Sequence, residues 1–108
     1  MITARQHPGE SLSSYMMEGF IEWITSEDPE AQYLRRYCVF KIVPMLNPDG
    51  VIHGNYRSSL CGRDLNRIWN KANPTLHPTV YHTKELIRKL QTRRRLHLIC
   101  DLHGHSRK

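Results

Sequence analysis

The sequence predicts an α/β fold, a mostly parallel sheet flanked by helices. Two observations carry this: strand-like apolar runs alternate with segments of helical period, and the later runs are apolar on both faces, as strands covered on two sides must be. The first run is short, Ile2 to Ala4. From Leu12 the apolar residues fall at Leu12, Tyr15, Met16, Gly19, Phe20, Trp23 and Ile24, a helical stripe expected to face the core. Asp28 followed by Pro29 reads as the cap and first turn of a short second helix. Tyr37 to Val43 (YCVFKIV) reads as a buried strand closed by Pro44, and Asn47-Pro48-Asp49-Gly50 as a turn in which Asp49-Gly50 can supply a left-handed position. Val51 to Asn73 has no sustained period, and a loop of that length inside a compact domain usually binds something. Pro78 opens a second long helix to about Thr92, with Val80, Ile87 and Leu90 as core positions and Thr83 between them. Leu96 to Leu102 (LHLICDL) is the last strand.

The 108 residues suit one domain, 1–108, and no apolar run approaches the roughly 20 residues of a membrane span. The start, MITARQHPG, lacks the basic region and apolar core of a secretory leader. Three cysteines cannot all pair within one chain and none forms a CxxC, which favours a reducing compartment, with Cys38 and Cys100 expected to be buried thiols. The formal charge is +6. Its densest run, Arg93-Arg94-Arg95, ends a helix, where positive charge is favourable in any case, and no stacking motif or Cys/His finger accompanies it. Charge therefore points to an acidic protein or peptide at least as readily as to nucleic acid.

Ligands of parallel α/β sheets bind beyond the carboxyl ends of the strands. His7 and Glu10 follow the first strand, His103 follows the last, and the loop after the middle strand carries Arg57, Arg63, Asn66 and Arg67. A hydrolytic zinc ion keeps three protein ligands and an open position for water. Two histidines and a glutamate fit that count, although an HxxE pair alone is weak and equally describes a polar turn that starts a helix. Pro8-Gly9 separates this pair from helical HExxH sites.

HPGES, NPDGV, GNYR, GRDLNR and DLHGHS, in this order, resemble the zinc metallocarboxypeptidases, specifically the cytosolic carboxypeptidase subfamily, from about Thr3 to Lys108. The resemblance implies zinc as cofactor, with His7, Glu10 and His103 as its ligands. It makes Arg57 the catalytic arginine that polarises the scissile carbonyl, and Asn66 and Arg67 the pair that grips the substrate's terminal carboxylate. It further implies a cytoplasmic enzyme that removes C-terminal residues, glutamates included, from peptides or from acidic protein tails such as those of tubulin. Asp64 is expected to brace Arg67 or the loop, Asp101 to orient a ligand histidine or merely begin a loop, and Trp69 to anchor the loop by packing. His105 and Ser106 belong to the last motif without a ligand role.

The resembled family places its general-base glutamate well downstream of the third ligand, and this sequence stops five residues after His103. The expectation is a truncated first half of a catalytic domain, inactive alone. The alternatives are a non-catalytic zinc-binding or interaction fragment, and a basic RNA- or protein-binding module.

Overall fold

The computed structural model describes residues 1–105; the Ser106 of the last motif lies outside them. Three short strands form one parallel sheet in the order β2-β1-β3: β1 is Ile2–Ala4, β2 is Ile42–Val43 and β3 is Cys100–Leu102. The central strand pairs on both sides, Ile2 with Ile42 and Cys100, and Ala4 with Leu102. Helices α1 (Leu12–Thr25) and α2 (Pro29–Tyr37) lie between β1 and β2 in sequence. After β2 come α3 (Pro48–Ile52), two 3₁₀ turns (Leu65–Arg67 and Trp69–Lys71), α4 (Pro78–Arg93) and β3. The first crossover leads to one side of β1 and the second leads back across it, and α1 packs on β1 and β3.

The expected α/β class holds, with three local corrections. The first is the core face of α1. Its buried residues are Ser13, Met17 and Ile24, and Met17 packs with Ile2 and Ala4, flanked by Phe20, Ile21, Phe40 and Ile42. Leu12, Tyr15 and Met16, expected inside, are 46%, 72% and 48% exposed. The helix carries two apolar stripes offset by about one residue, and periodicity cannot tell which of them meets the sheet.

The second correction concerns strand length. Tyr37 ends α2 rather than opening a strand, and exposed Cys38 caps that helix through its amide to the Leu34 carbonyl. Cys38 is therefore not the buried thiol expected, and Cys100 is half-buried. Arg35 and Arg36 in the last turn suit the negative end of the helix dipole, while Arg35 Nη1 donates to the Ile24 and Ser26 carbonyls at 2.5 and 2.8 Å and closes the end of α1. Pairing with β1 begins only at the Lys41 carbonyl, which accepts from the Ile2 amide. On the other side Leu98 and Ile99 stay exposed, although the Met1 ammonium donates to the Leu98 carbonyl at 2.7 Å.

The third correction is the NPDG segment, which is a helix start. Buried Asn47 accepts the Gly50 amide at 3.0 Å and Pro48 occupies the first turn. The left-handed glycine is Gly54 (φ 70°), just past the end of α3. The Asp28–Pro29 start is as expected, with Asp28 accepting from the Glu30 and Ala31 amides.

Met17→Ala is expected to lower the free energy of unfolding by about 2–5 kcal/mol, and Met16→Ala by less than about 1 kcal/mol. Urea denaturation of the two variants checks this; equal losses would make the outer stripe the core face.

Candidate metal centre

The site forms where β1 ends. Arg5 turns the chain with a left-handed backbone (φ 52°), an uncommon conformation for a side chain of its size. Its guanidinium holds the turn by donating from Nε to the Pro8 carbonyl at 2.8 Å and from Nη1 to Ser14 Oγ at 2.7 Å. The turn brings Gln6 and His7 inward, both almost fully buried. Gly9 then passes so close to the loop after α3 that its amide donates to the Tyr56 carbonyl at 2.7 Å. A Cβ at Gly9 would lie 2.5 Å from the Tyr56 ring, so only glycine fits this crossing.

His7, Glu10 and His103 meet here: one ligand atom from each lies within 4.8 Å of the others, and the two imidazoles stand edge to face at 4.9 Å between centroids. Glu10 Oε2 accepts the Gly104 amide at 2.7 Å, which ties the turn after β1 to the turn after β3 and aims Oε1 at His7 Nδ1, 2.9 Å away.

Both ring nitrogens of His7 face carboxylate oxygens: Nδ1 lies 2.9 Å from Glu10 Oε1 and Nε2 2.9 Å from Asp64 Oδ1. An ionised carboxylate only accepts, so each of these contacts needs a proton or a cation between its two atoms. In His103, Nδ1 sits 3.1 Å from Asp101 Oδ2, while Nε2 is buried and without a hydrogen-bond partner among the described residues. Two imidazoles and a carboxylate oxygen thus converge, each imidazole with an aspartate carboxylate beside its ring, the arrangement metal-bound histidines use. The donor set suits zinc, whose bonds of about 2 Å require donors within about 4 Å of one another; small side-chain rotations close the remaining gap.

Asp64 connects this cluster to the long loop. Besides His7 it accepts the Asn66 amide at 2.8 Å through Oδ1 and Arg57 Nε at 2.8 Å through Oδ2. It braces the loop backbone, as expected, but its side-chain partners are His7 and Arg57 rather than Arg67. Burial pushes the Asp64 carboxyl up; the His7 hydrogen bond, the Asn66 amide, the His7 charge and Arg57 together outweigh that and hold it below its ordinary value of 3.8. Arg57 is 46% exposed and, among the described residues, engaged through Nε with Asp64. Asn66 is half-buried and Arg67 exposed, both on the 3₁₀ turn that starts directly after Asp64. Trp69 anchors the loop, as expected, through its indole N–H to Gln6 Oε1 at 2.7 Å. Gln6 itself had no signal in the sequence, because its partners Asn47, Trp69 and Asp101 lie 41, 63 and 95 residues away.

Comparison with known proteins agrees with this geometry. The family model for zinc carboxypeptidases matches residues 1–107, and the chain belongs to that family. Within it the chain is placed with the cytosolic carboxypeptidases: it is 56% identical over 108 residues to cytosolic carboxypeptidase 1 of Gallus gallus and 54% identical to cytosolic carboxypeptidase 2 of Xenopus tropicalis. Those matches cover 99% and 100% of this chain but only 9% and 11% of the relatives, so the chain spans about a tenth of their length. Among solved structures, a metallo-carboxypeptidase from Burkholderia cenocepacia superposes with a TM-score of 0.86 at 35% identity, over 96% of this chain and 28% of that one. A metallo-carboxypeptidase from Pseudomonas aeruginosa, solved in complex with (2-guanidinoethylmercapto)succinic acid, gives 0.75 at 36% identity, over 96% and 27%.

Asp64→Asn is expected to destabilise the metal-free protein at neutral pH, since the carboxylate's partners prefer it ionised. A carboxyl lowered by folding contributes stability above its ordinary value of 3.8 and loses it as pH falls through the folded value. The gap between wild type and Asp64→Asn in chelator-treated denaturation curves should therefore shrink as pH falls below 3.8. A gap independent of pH would mean that the charge contributes nothing.

Proposed function

We propose that this chain is the metal-binding part of a cytoplasmic zinc metallocarboxypeptidase domain that removes C-terminal residues, glutamates in particular, from peptides and acidic protein tails such as those of tubulin. The observation that carries the proposal is the convergence of the His7 and His103 imidazoles with the Glu10 carboxylate at the carboxyl ends of adjacent parallel strands. In this reading His7, Glu10 and His103 hold the zinc, which, when bound, acidifies a water and polarises a carbonyl.

The rest is done by the chain's own groups. Asp64 and Asp101 stand beside the two imidazoles and fix their orientation. Arg57 gives only Nε to Asp64, so its terminal nitrogens are left to meet the scissile carbonyl and the negative charge that develops on its oxygen. Asn66 and Arg67, held beside Asp64 by the 3₁₀ turn, grip the terminal carboxylate of the substrate, a task suited to the planar, permanently charged guanidinium. The +6 charge favours acidic tails, and the names of the cytosolic relatives support the compartment.

The general base is supplied from outside residues 1–108. Glu10 belongs to the metal, Glu18 and Glu22 lie on α1, Glu27 between α1 and α2, Glu30 on α2 and Glu85 on α4. A positioned base contributes roughly 10²–10⁴-fold, so the chain alone binds metal and turns over little.

Zinc titration and a peptidase assay test the two halves of the proposal separately. One zinc is expected per chain, weakened by more than about 100-fold in Glu10→Ala and His103→Ala. Failure of wild type to bind zinc, together with nucleic-acid binding that weakens with salt and is indifferent to His103→Ala, would favour a basic binding module instead. Zinc-dependent turnover by the chain alone, abolished by Glu10→Ala, would show that the base lies within it.

A further inference from the structure

Gln6 immediately precedes the first candidate ligand, and its side-chain hydrogen bonds go to Trp69 and Asp101 rather than to any of the three. Its side chain is 1% exposed, and both ends of its amide are engaged. The indole N–H of Trp69 can only donate, so the atom facing it at 2.7 Å is Oε1. The amide orientation is thereby fixed, and Nε2 donates to Asp101 Oδ2, also at 2.7 Å. That same Oδ2 lies beside His103 Nδ1, while Oδ1 accepts Thr3 Oγ1 at 2.6 Å. The backbone of Gln6 is pinned as well, its carbonyl accepting Asn47 Nδ2 at 3.2 Å. Two hydrogen bonds thus lead from Trp69, just past Asn66 and Arg67, through Gln6 to Asp101, whose Oδ2 lies 3.1 Å from His103 Nδ1.

We propose that Gln6 is a positioning residue that ties the aim of His103 to the placement of the loop bearing Asn66 and Arg67. This rests on the metal reading of the site. The physical basis is the donor and acceptor inventory. Asp101 Oδ2 meets two nitrogens at once, and the Gln6 donor fixes how that oxygen is presented to His103 Nδ1. An apolar side chain at position 6 leaves the buried indole N–H without its acceptor and Asp101 with one donor fewer. A glutamate there sets a carboxylate against Asp101 Oδ2, so size is preserved and the polarity of the contact reversed. Lys84 Nζ donates to the Trp69 carbonyl at 2.7 Å, so displacement of the indole also disturbs the contact between the loop and α4.

The test is zinc titration of the 108-residue protein followed by calorimetry and by tryptophan emission, in wild type, Gln6→Leu, Gln6→Glu, Trp69→Phe and the Gln6→Leu/Trp69→Phe pair. Wild type is expected to show a change in emission on adding zinc that is missing in Trp69→Phe, where Trp23 remains, and missing in Gln6→Leu. Zinc affinity should fall roughly 3- to 10-fold in Gln6→Leu and Gln6→Glu, at or below the 10–100-fold typical of groups bonded directly to a ligand. Trp69→Phe, which keeps an aromatic ring and removes the N–H with part of the indole, should also weaken zinc, and the double variant should lose less than the sum of the two single losses. Should Gln6→Leu fail to fold, Trp69→Phe still decides, because a purely structural tryptophan would leave zinc affinity unchanged. Unaltered affinity in Trp69→Phe, or an emission change that persists in Gln6→Leu, would overturn the proposal. Absence of zinc binding by wild type would instead remove the metal reading beneath it.

Discussion

An imidazole can aim a lone pair only if its other nitrogen is occupied, and the site depends on that constraint being met twice. Asp64 occupies Nε2 of His7 from the loop before α4, and Asp101 occupies Nδ1 of His103 from the strand that carries it. The two supports differ in kind. Asp101 sits on β3, is paired in register with Thr3 and accepts that residue's hydroxyl, so its position is set by the sheet. Asp64 sits at the head of a 3₁₀ turn and is placed by its own cap to the Asn66 amide. One ligand is therefore oriented by the most regular part of the fold and the other by its longest irregular segment. That segment must be anchored well for the site to exist, which accounts for the buried contacts of Trp69 and for the glycine crossing at Gly9, where loop and ligand turn share a backbone hydrogen bond.

The parallel sheet explains why so short a framework suffices. Strands of two or three residues contribute little as a ladder, but parallel pairing in the order β2-β1-β3 brings all carboxyl ends to one edge. The turn after β1 supplies two candidate ligands, the turn after β3 supplies the third, and the segment after β2 leads through α3 into the arginine loop. Glu10 and Gly104 close the gap between the two outer turns with a bond from a backbone amide to a carboxylate, a contact that needs no further side chain. The left-handed Arg5 belongs to the same economy of space: a continued extended strand would carry His7 past the edge of the sheet, whereas the turn at Arg5 directs it back. The roughly 1 kcal/mol or more that such a conformation costs is set against two hydrogen bonds from the guanidinium.

How much of this was legible in the sequence follows from the range over which each signal acts. Helix starts were legible at Asp28-Pro29, because the cap and the first turn are neighbours in the chain. The same rule misled at Asn47-Pro48-Asp49-Gly50, where a turn signature and a helix-start signature use the same residues. Burial of Asn47 against the Gln6 carbonyl is what accompanies the helix, and no local reading contains it. The sequence showed one stripe on α1, and the inward turn of Met17 and Ile21, which lie outside it, depends on how the helix sits on the sheet. The candidate ligands were legible as residue types at strand ends and through the resemblance carried by the motifs around them. Asp64 and Asp101 were recognised as supports of uncertain target, since an aspartate two residues before a histidine, or beside an arginine, has several possible partners. Gln6 was invisible, because a buried glutamine is defined wholly by partners far away in sequence.

The shared carboxylate of Asp64 has one further consequence. His7 and Arg57 bond to different oxygens of a single side chain, so the orientation of the candidate ligand and that of the candidate carbonyl-binding arginine are not independent. A rotation of Asp64 that lengthened its bond to His7 would also drag the arginine, while a substrate that drew Arg57 away would leave Oδ2 with less positive charge nearby and strengthen the hold of Oδ1 on His7 Nε2. Arg57 is half exposed and, among the described residues, held through Nε to Asp64. The arrangement thus permits an arginine that moves at its tip and stays fixed at its base, with the tether attached to the residue that sets His7.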